Sequence, residues 1–213
     1  NKSAYGCTIE LPEGLLCIGG SQETQCNRDV YVLNIEKDGS PKIISWDPLP
    51  IPMSNMVGGK VGNKVFLAGG ITSMQDNESN NTFLCLDLEA KERGWQKLEP
   101  WPGEDRAFAV ATVQSDGLDN CFYMFGGRKI KGNEIIRSFT EGWKYNPRLG
   151  EWSAVEGEFP VTARSCTSYG TNHILFFSNP MILYHTVTKS SIMIDPEFKV
   201  PVTTAIARKG ASF

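Results

Sequence analysis

Four side chains of the sequence have the types and positions expected of a site for a polar, negatively charged ligand. Arg106 and Arg164 each follow a proline by a few residues and open a β-prone run, and Tyr5 and Asn55 open similar runs. A guanidinium binds a carboxylate through forked hydrogen bonds, and a phenol or an amide can hydrogen-bond hydroxyl groups. We therefore predict that these four residues bind substrate. In the alternative interpretation, the two arginines tie neighbouring segments together through backbone carbonyls or nearby acids.

The other side chains with catalytic or metal-binding potential form no cluster in the sequence. We predict surface or turn positions for His173 and His185. The cysteines are scattered, include no C-x-x-C pair and mostly interrupt apolar runs, which predicts small buried hydrophobic side chains and no zinc site or disulfide framework. Gly-x-Gly-x-x-Gly and Gly-x-Ser-x-Gly are absent, so we expect neither a nucleotide cofactor nor serine-hydrolase chemistry. We predict no other cofactor and no metal site. The six cysteines are Cys7, Cys17, Cys26, Cys85, Cys121 and Cys166.

The composition excludes two classes of partner. The 213 residues include 24 acidic and 21 basic side chains, for a formal net charge of −3. Nucleic acids and anionic membranes attract a concentrated basic surface, so we expect neither as a partner. No apolar run approaches the roughly 20 residues that cross a bilayer, so we expect no membrane insertion. The oligomeric state is not readable from these features.

An internal repeat in the sequence indicates the strands that position these side chains. An apolar run is closed by a glycine pair at residues 19–20, 69–70 and 126–127, and a fourth run ends in Ser178 and Asn179. The spacings between these markers are 50, 57 and 52 residues. Strand-like runs follow at 30–34, 82–87 and 143–147, and Trp46, Trp95 and Trp152 come later at spacings of 49 and 57. We predict that each tryptophan opens a fourth strand and fills the wedge between neighbouring sheets.

A period of roughly 50 residues with these markers is typical of kelch repeats, so we predict an all-β, kelch-type β-propeller. The predicted blades are 4–52, 53–103, 104–161 and 162–200, and a fifth starts at 201–213. First strands that begin near Tyr5, Asn55, Arg106 and Arg164 would bring these side chains to one mouth of the central channel. Because four blades and a stub leave an open edge, we expect a longer parent protein. The third strand follows Asn179 so closely that we also expect residues to be missing there.

Several segments resemble one family. Residues 4–9, 15–20, 50–55 and 95–127 are similar to the sialic acid mutarotases, the bacterial N-acetylneuraminate epimerases, and most of all to their circularly permuted branch. The resemblance implies a six-bladed propeller whose central funnel interconverts the α and β anomers of N-acetylneuraminate, a small sugar acid. It also implies a periplasmic location, whereas the six unpaired cysteines favour a reducing interior.

The catalytic residues that this resemblance implies are a glutamate and an arginine in a Gly-Glu-x-x-Pro-Gly-x-Arg-Thr stretch. That stretch would follow Phe213, so no residue of this chain inherits the two roles. Two alternatives stay open. One is a non-catalytic kelch module that binds a protein or a glycan through its loops, because a fold does not determine a function. The other is a copper enzyme similar to galactose oxidase, for which this portion lacks the histidine and tyrosine cluster.

Overall fold

The computed structural model describes residues 3–132, 134–160, 163 and 165–194. The described part of the chain is built from β-strands, with one short 3-10 helix at Lys91–Arg93 and no α-helix. It divides into two compact units. The first comprises the described residues within 3–109 and 127–139, and the second comprises those within 110–126 and 140–194.

The first unit contains two four-stranded antiparallel sheets, in each of which neighbouring strands follow one another in the chain, and one extra hairpin. The first sheet consists of β1 (Cys7–Leu11), β2 (Gly14–Ile18), β3 (Val30–Ile35) and β4 (Pro41–Ser45). The second consists of β5 (Val57–Val61), β6 (Lys64–Ala68), β7 (Phe83–Asp87) and β8 (Gln96–Lys97). The hairpin consists of β11 (Arg128–Lys131) and β12 (Glu134–Ser138).

The second unit contains two further antiparallel sheets of the same kind. One has the strand order β9, β10, β13, β14, because the hairpin β11–β12 interrupts the chain between its second and third strands. Its strands are β9 (Val110–Ser115), β10 (Asn120–Phe125), β13 (Gly142–Asn146) and β14 (Glu151–Val155). The other consists of β15 (Ser165–Tyr169), β16 (His173–Phe177), β17 (Met181–His185) and β18 (Ser190–Ile194).

Each unit has its own apolar core. In the first unit, β2 alternates between buried and more exposed residues, and its Leu16 and Ile18 join a cluster that draws side chains from both sheets. In the second unit, the Phe125 ring centroid lies 4.5 Å from that of Phe159 and 4.8 Å from that of Phe176. Each fully buried side chain of this size contributes about 1.5–3 kcal/mol. The all-β class predicted from the repeat is confirmed.

In the first unit, glycine pairs connect each sheet to the chain segment that enters the next one. The second glycine of the pair 19–20 donates its N–H to the Met53 carbonyl at 2.8 Å, and the second glycine of the pair 69–70 donates to the Arg106 carbonyl at 2.9 Å. All four glycines have positive φ, between 58° and 103°. A Cβ on the first glycine would lie 2.5 Å from the Met53 oxygen in one pair and would overlap the Arg106 oxygen in the other. Glycine is therefore required by conformation and by space.

The strand boundaries differ from the prediction in two respects. β1, β5 and β9 begin two to four residues after the starts predicted at Tyr5, Asn55 and Arg106. Trp152 is the second residue of β14, close to the predicted position, but Trp95 lies just before β8 and Trp46 just after the end of β4. Trp46 and Trp95 pack against the apolar cluster of the first unit, which places both at the interface of its two sheets.

The connection after Asn179 is short, and the expectation that residues are missing there stays a prediction. β16 and β17 pair directly, with Phe176 opposite Ile182, and the Ser178 hydroxyl donates to the Pro180 carbonyl within the turn at 2.7 Å. A tight turn therefore replaces the longer loop of the other sheets. The four sheets lie within the ranges predicted for the first four blades, and residues 201–213 lie outside the described residues.

We predict that Gly69→Ala destabilises the protein by about 3 kcal/mol or more, because it adds a steric overlap with the Arg106 carbonyl to the cost of a positive φ. Gly62→Ala is the matched control. Gly62 has a φ of 57° but would place its Cβ in open space, so only the cost of the conformation, about 1 kcal/mol, is expected. Urea unfolding measures both changes. Equal losses would contradict a role for the glycine pair in joining the sheets.

Candidate functional site

Three residues of the first unit share an unusual backbone conformation at corresponding positions. Tyr5, Asn55 and Phe108 have φ values of 61°, 53° and 58°. Each lies one residue after an isolated β-bridge and, together with a single further residue, connects that bridge to the first strand of a sheet. Non-glycine residues seldom adopt this region, and for a bulky aromatic side chain it is a true outlier.

The same three residues are joined by backbone hydrogen bonds. The N–H of Asn55 donates to the Tyr5 carbonyl at 2.8 Å, and the N–H of Phe108 donates to the Asn55 carbonyl at 3.1 Å. We call this row the ladder. The Tyr5 side chain is 66% exposed and that of Phe108 is 46% exposed, whereas Asn55 is half-buried and donates through Nδ2 to the Ser54 hydroxyl at 3.2 Å. An amide between two exposed aromatic rings can contact a ligand that has both polar and apolar edges.

The structure brings two of the predicted site residues together and separates a third from them. Tyr5 and Asn55 are neighbours in the ladder, but Arg106 does not occupy the corresponding position. The Arg106 carbonyl accepts a hydrogen bond from a glycine pair, as the Met53 carbonyl does. Arg106 therefore corresponds to Met53 and lies two residues before the ladder position. Arg164 lies outside the described residues. The predicted equivalence of Arg106 with Tyr5 and Asn55 is therefore wrong.

Burial gives Arg106 a structural role. The residue is 0% exposed, and its guanidinium carbon lies 4.1 Å from the Phe139 ring centroid and 5.7 Å from that of Trp101. Its Nε also donates to the Glu104 carbonyl at 3.4 Å. This arrangement corresponds to the alternative interpretation of the sequence, in which the arginine ties segments together. A ligand cannot reach the guanidinium without displacing these contacts.

Sequence reasoning missed Phe108, the third member of the ladder. A usable signal was present, because a small residue precedes each ladder position: Ala4 before Tyr5, Ser54 before Asn55 and Ala107 before Phe108. These small residues form the bridges to the segment after each glycine pair, where the chains approach closely. Ser54 and Ala107 are almost fully buried.

An ion-pair cluster fastens the extra hairpin to the segment before Arg106. Lys129 of β11 lies 3.0 Å from Glu104 and 3.1 Å from Asp105, and Arg137 of β12 lies 2.6 Å from Glu104. Hydrogen bonds from Lys129 lower the pKa of Glu104. Partial burial raises the pKa of Asp105, but hydrogen bonds from Ser79 and Lys129 outweigh it and hold the pKa below its usual value. Both carboxylates therefore take part in the ion pairs and hydrogen bonds that hold the hairpin.

A cleft in the first unit is partly covered by a side chain of the protein itself. It has a volume of about 240 Å³ and is lined by Trp46, Asp47, Leu86, Lys91 and Glu92. The Lys91 ammonium lies 4.3 Å from the centroid of the Trp46 ring. The aromatic face that a ligand would use is thus covered by a cation of the same chain.

Among the described residues, the cysteines are free thiols and the two histidines contact each other. All six thiols are free, and burial raises the pKa of Cys121 to about 12, which keeps this thiol protonated at neutral pH. The rings of His173 and His185 meet edge to face at 4.5 Å, and Nδ1 of His185 accepts backbone N–H bonds from the turn after β17. Among the described residues, no three His, Cys, Asp or Glu side chains are grouped so as to hold a metal ion.

In the part of the chain that the structure describes, no helix combines the length and the apolar character that spanning a bilayer requires.

The repeated four-stranded sheets, with a glycine pair after the second strand in three of them, define the chain as a kelch-type β-propeller protein. The sequence profile of the N-acetylneuraminate epimerase family matches residues 46–184, and the chain belongs to this family. The class and the family predicted from the sequence are both confirmed.

Individual relatives agree with this assignment. An N-acetylneuraminate epimerase of Vibrio cholerae is 30% identical over 136 residues, which cover 62% of this chain and 33% of the relative. A kelch domain-containing protein of the same organism is 30% identical over 132 residues, 61% of this chain and 34% of the relative. An N-acetylneuraminate epimerase of Yersinia pestis is 28% identical over 117 residues, 54% and 27% of the two chains. The chain thus spans about a third of the length of the curated relatives it matches.

We predict a coupling free energy of about 2 kcal/mol between Arg106 and Phe139 in a double-mutant cycle with Arg106→Met and Phe139→Leu, because a desolvated cation–π pair is worth about that much. Arg137 provides the control. Its guanidinium lies 5.3 Å from the same ring but its side chain is 58% exposed, so its coupling should stay below about 1 kcal/mol. Chemical denaturation measures the free energy of unfolding of the parent, the two single variants and the double variant. Coupling near zero for Arg106 would contradict its structural role.

We predict that Lys129→Met makes stability less dependent on pH between about 5 and 3. Lowered carboxylate pKa values stabilise the fold above the unfolded value of about 4, and this contribution is lost as the pH falls through the lowered folded values. Without the ammonium, the pKa values of Glu104 and Asp105 move back towards the unfolded value. Urea midpoints across this range measure the effect. Lys42→Met, which removes the exposed Lys42–Glu36 pair, is the control and should leave the pH dependence of stability nearly unchanged. If Lys129→Met shows the same pH dependence as the parent protein, the interpretation is refuted.

Proposed function

We propose that this protein is a sugar-acid mutarotase that interconverts the α and β anomers of N-acetylneuraminate without a cofactor or a metal ion. The observation that carries the proposal is the family match, which extends from residue 46 to residue 184 and includes strands β5 to β16 and all but the last residue of β17. The exposed ladder supports it, because an amide and two aromatic rings suit a sugar. A periplasmic location is proposed on the family resemblance alone.

The reaction requires the pyranose ring to open and close at the anomeric carbon. A base removes the proton of the anomeric hydroxyl, an acid protonates the ring oxygen, and the bond between that oxygen and the anomeric carbon breaks to give an open-chain keto acid. Reclosure on the opposite face of the carbonyl group gives the other anomer. A cation that binds the sugar carboxylate would hold the substrate in place during these steps.

The proposal assigns neither the acid–base role nor the carboxylate-binding role to a residue of this chain. The family resemblance attributes them to a glutamate and an arginine of a stretch that would follow Phe213. Arg106 is unsuitable for the second role because its guanidinium is buried against Phe139. The contribution proposed for the described residues is to bind the sugar, not to transfer protons.

A non-catalytic kelch module that binds a protein or a glycan is the second candidate. The burial of Arg106 favours it, because an anionic sugar acid needs a cation and the three ladder side chains are uncharged. Under this alternative the ladder is a binding surface without associated chemistry. The two candidates differ in whether the anomers of a bound sugar exchange.

Saturation-transfer NMR on the full-length protein with N-acetylneuraminate distinguishes them. For a mutarotase we expect the exchange rate between the anomeric signals to increase in proportion to protein concentration. Heat-denatured protein and buffer alone are the controls. Exchange no faster than in buffer would reject the mutarotase. Binding of the sugar without faster exchange would favour the non-catalytic module.

A further inference from the structure

We propose that Tyr5, Asn55 and Phe108 form a sugar-contacting row in which the two aromatic rings cover apolar C–H edges of the substrate and the Asn55 amide hydrogen-bonds its neutral polar groups. This inference rests on the proposed function and specifies which part of the sugar the described residues recognise. Phe108, which sequence reasoning did not select, is its principal addition.

The ladder positions have positive φ, a conformation that glycine adopts at little cost. A bulky side chain in this conformation is strained, and such strain is concentrated at functional sites. Tyr5 and Phe108 nevertheless occupy two of the three positions, with φ values of 61° and 58°. The strain needs a compensating role for the side chains.

Packing within the protein covers only part of these residues. Tyr5 is 66% exposed and Phe108 is 46% exposed. The bridges and the ladder hydrogen bonds use backbone groups only. The side chains are thus available to a ligand.

The row has dimensions and chemical groups that suit a sugar. Backbone segments that are hydrogen-bonded side by side lie about 5 Å apart, so the row from Tyr5 to Phe108 extends for about 10 Å. A pyranose ring with its substituents can lie across such a row. An aromatic face binds C–H groups, and an amide offers both a donor and an acceptor. Because the row is uncharged, the carboxylate of the sugar would bind elsewhere.

Phe108→Gly and Tyr5→Gly provide the central test. Each substitution removes a ring and relieves the strained φ, so we expect the unfolding midpoint not to fall while the dissociation constant for N-acetylneuraminate rises by about three- to tenfold. Sugar titration followed by NMR gives the affinity, and urea unfolding gives the stability. In exchange measurements, the half-saturating sugar concentration should rise more than the maximal exchange rate falls.

Two further variants serve as a control and as an independent test of the row. Tyr169→Ala removes another exposed aromatic ring, from the end of β15, and should leave the affinity unchanged. Asn55→Asp keeps the size of the side chain and its tolerance of positive φ, but its charge should weaken binding of the anionic sugar, most strongly at low salt. This variant tests the row if a glycine variant fails to fold.

The outcomes separate this inference from the proposed function. If the parent protein exchanges the anomers but Phe108→Gly, Tyr5→Gly and Asn55→Asp all keep the parental affinity, the row is refuted and the mutarotase proposal stands. If the parent protein neither binds nor exchanges the sugar, both are refuted. Loss of affinity in the row variants with an unchanged Tyr169→Ala supports the row.

Discussion

The close approach of a glycine pair to the carbonyl of an incoming chain segment is the contact on which the first unit depends. At residues 19–20 and 69–70 the chain has left the second strand of a sheet with positive φ, and the second glycine donates its N–H to Met53 or Arg106. A side chain on the first glycine would occupy the position of that oxygen. Within the first unit, backbone groups therefore join each glycine pair to the incoming segment, and apolar side chains fill the space between the unit's two sheets.

The ladder is a consequence of this contact. Two residues after each bound carbonyl the chain adopts a left-handed conformation, and successive turns of this kind hydrogen-bond to one another through Tyr5, Asn55 and Phe108. The backbone sets the positions and directions of these residues, and their side chains are left to contact a ligand. The same scaffold can thus present different chemical groups without changing the way in which the sheets are joined.

Arg106 illustrates why the site was harder to predict than the fold. An arginine near the start of a first strand can bind an anionic ligand. A shift of two positions along the chain, however, decides whether its side chain reaches solvent or the interior. Phe139, which covers its guanidinium, is 33 residues away in the sequence and lies next to a hairpin that no pattern in the sequence indicated. The pairing of such distant residues depends on how the loops pack.

The sequence by itself determined the all-β class, the repeat and its glycine pairs, the third strands and the family. These features were readable because each reflects a local demand, such as a φ that only glycine adopts easily or the alternation of a strand. The tertiary structure alone decided which residues enter the ladder, that Arg106 is buried, and that an ion-pair cluster holds the hairpin β11–β12. These outcomes depend on contacts between residues far apart in the chain, which no local pattern encodes.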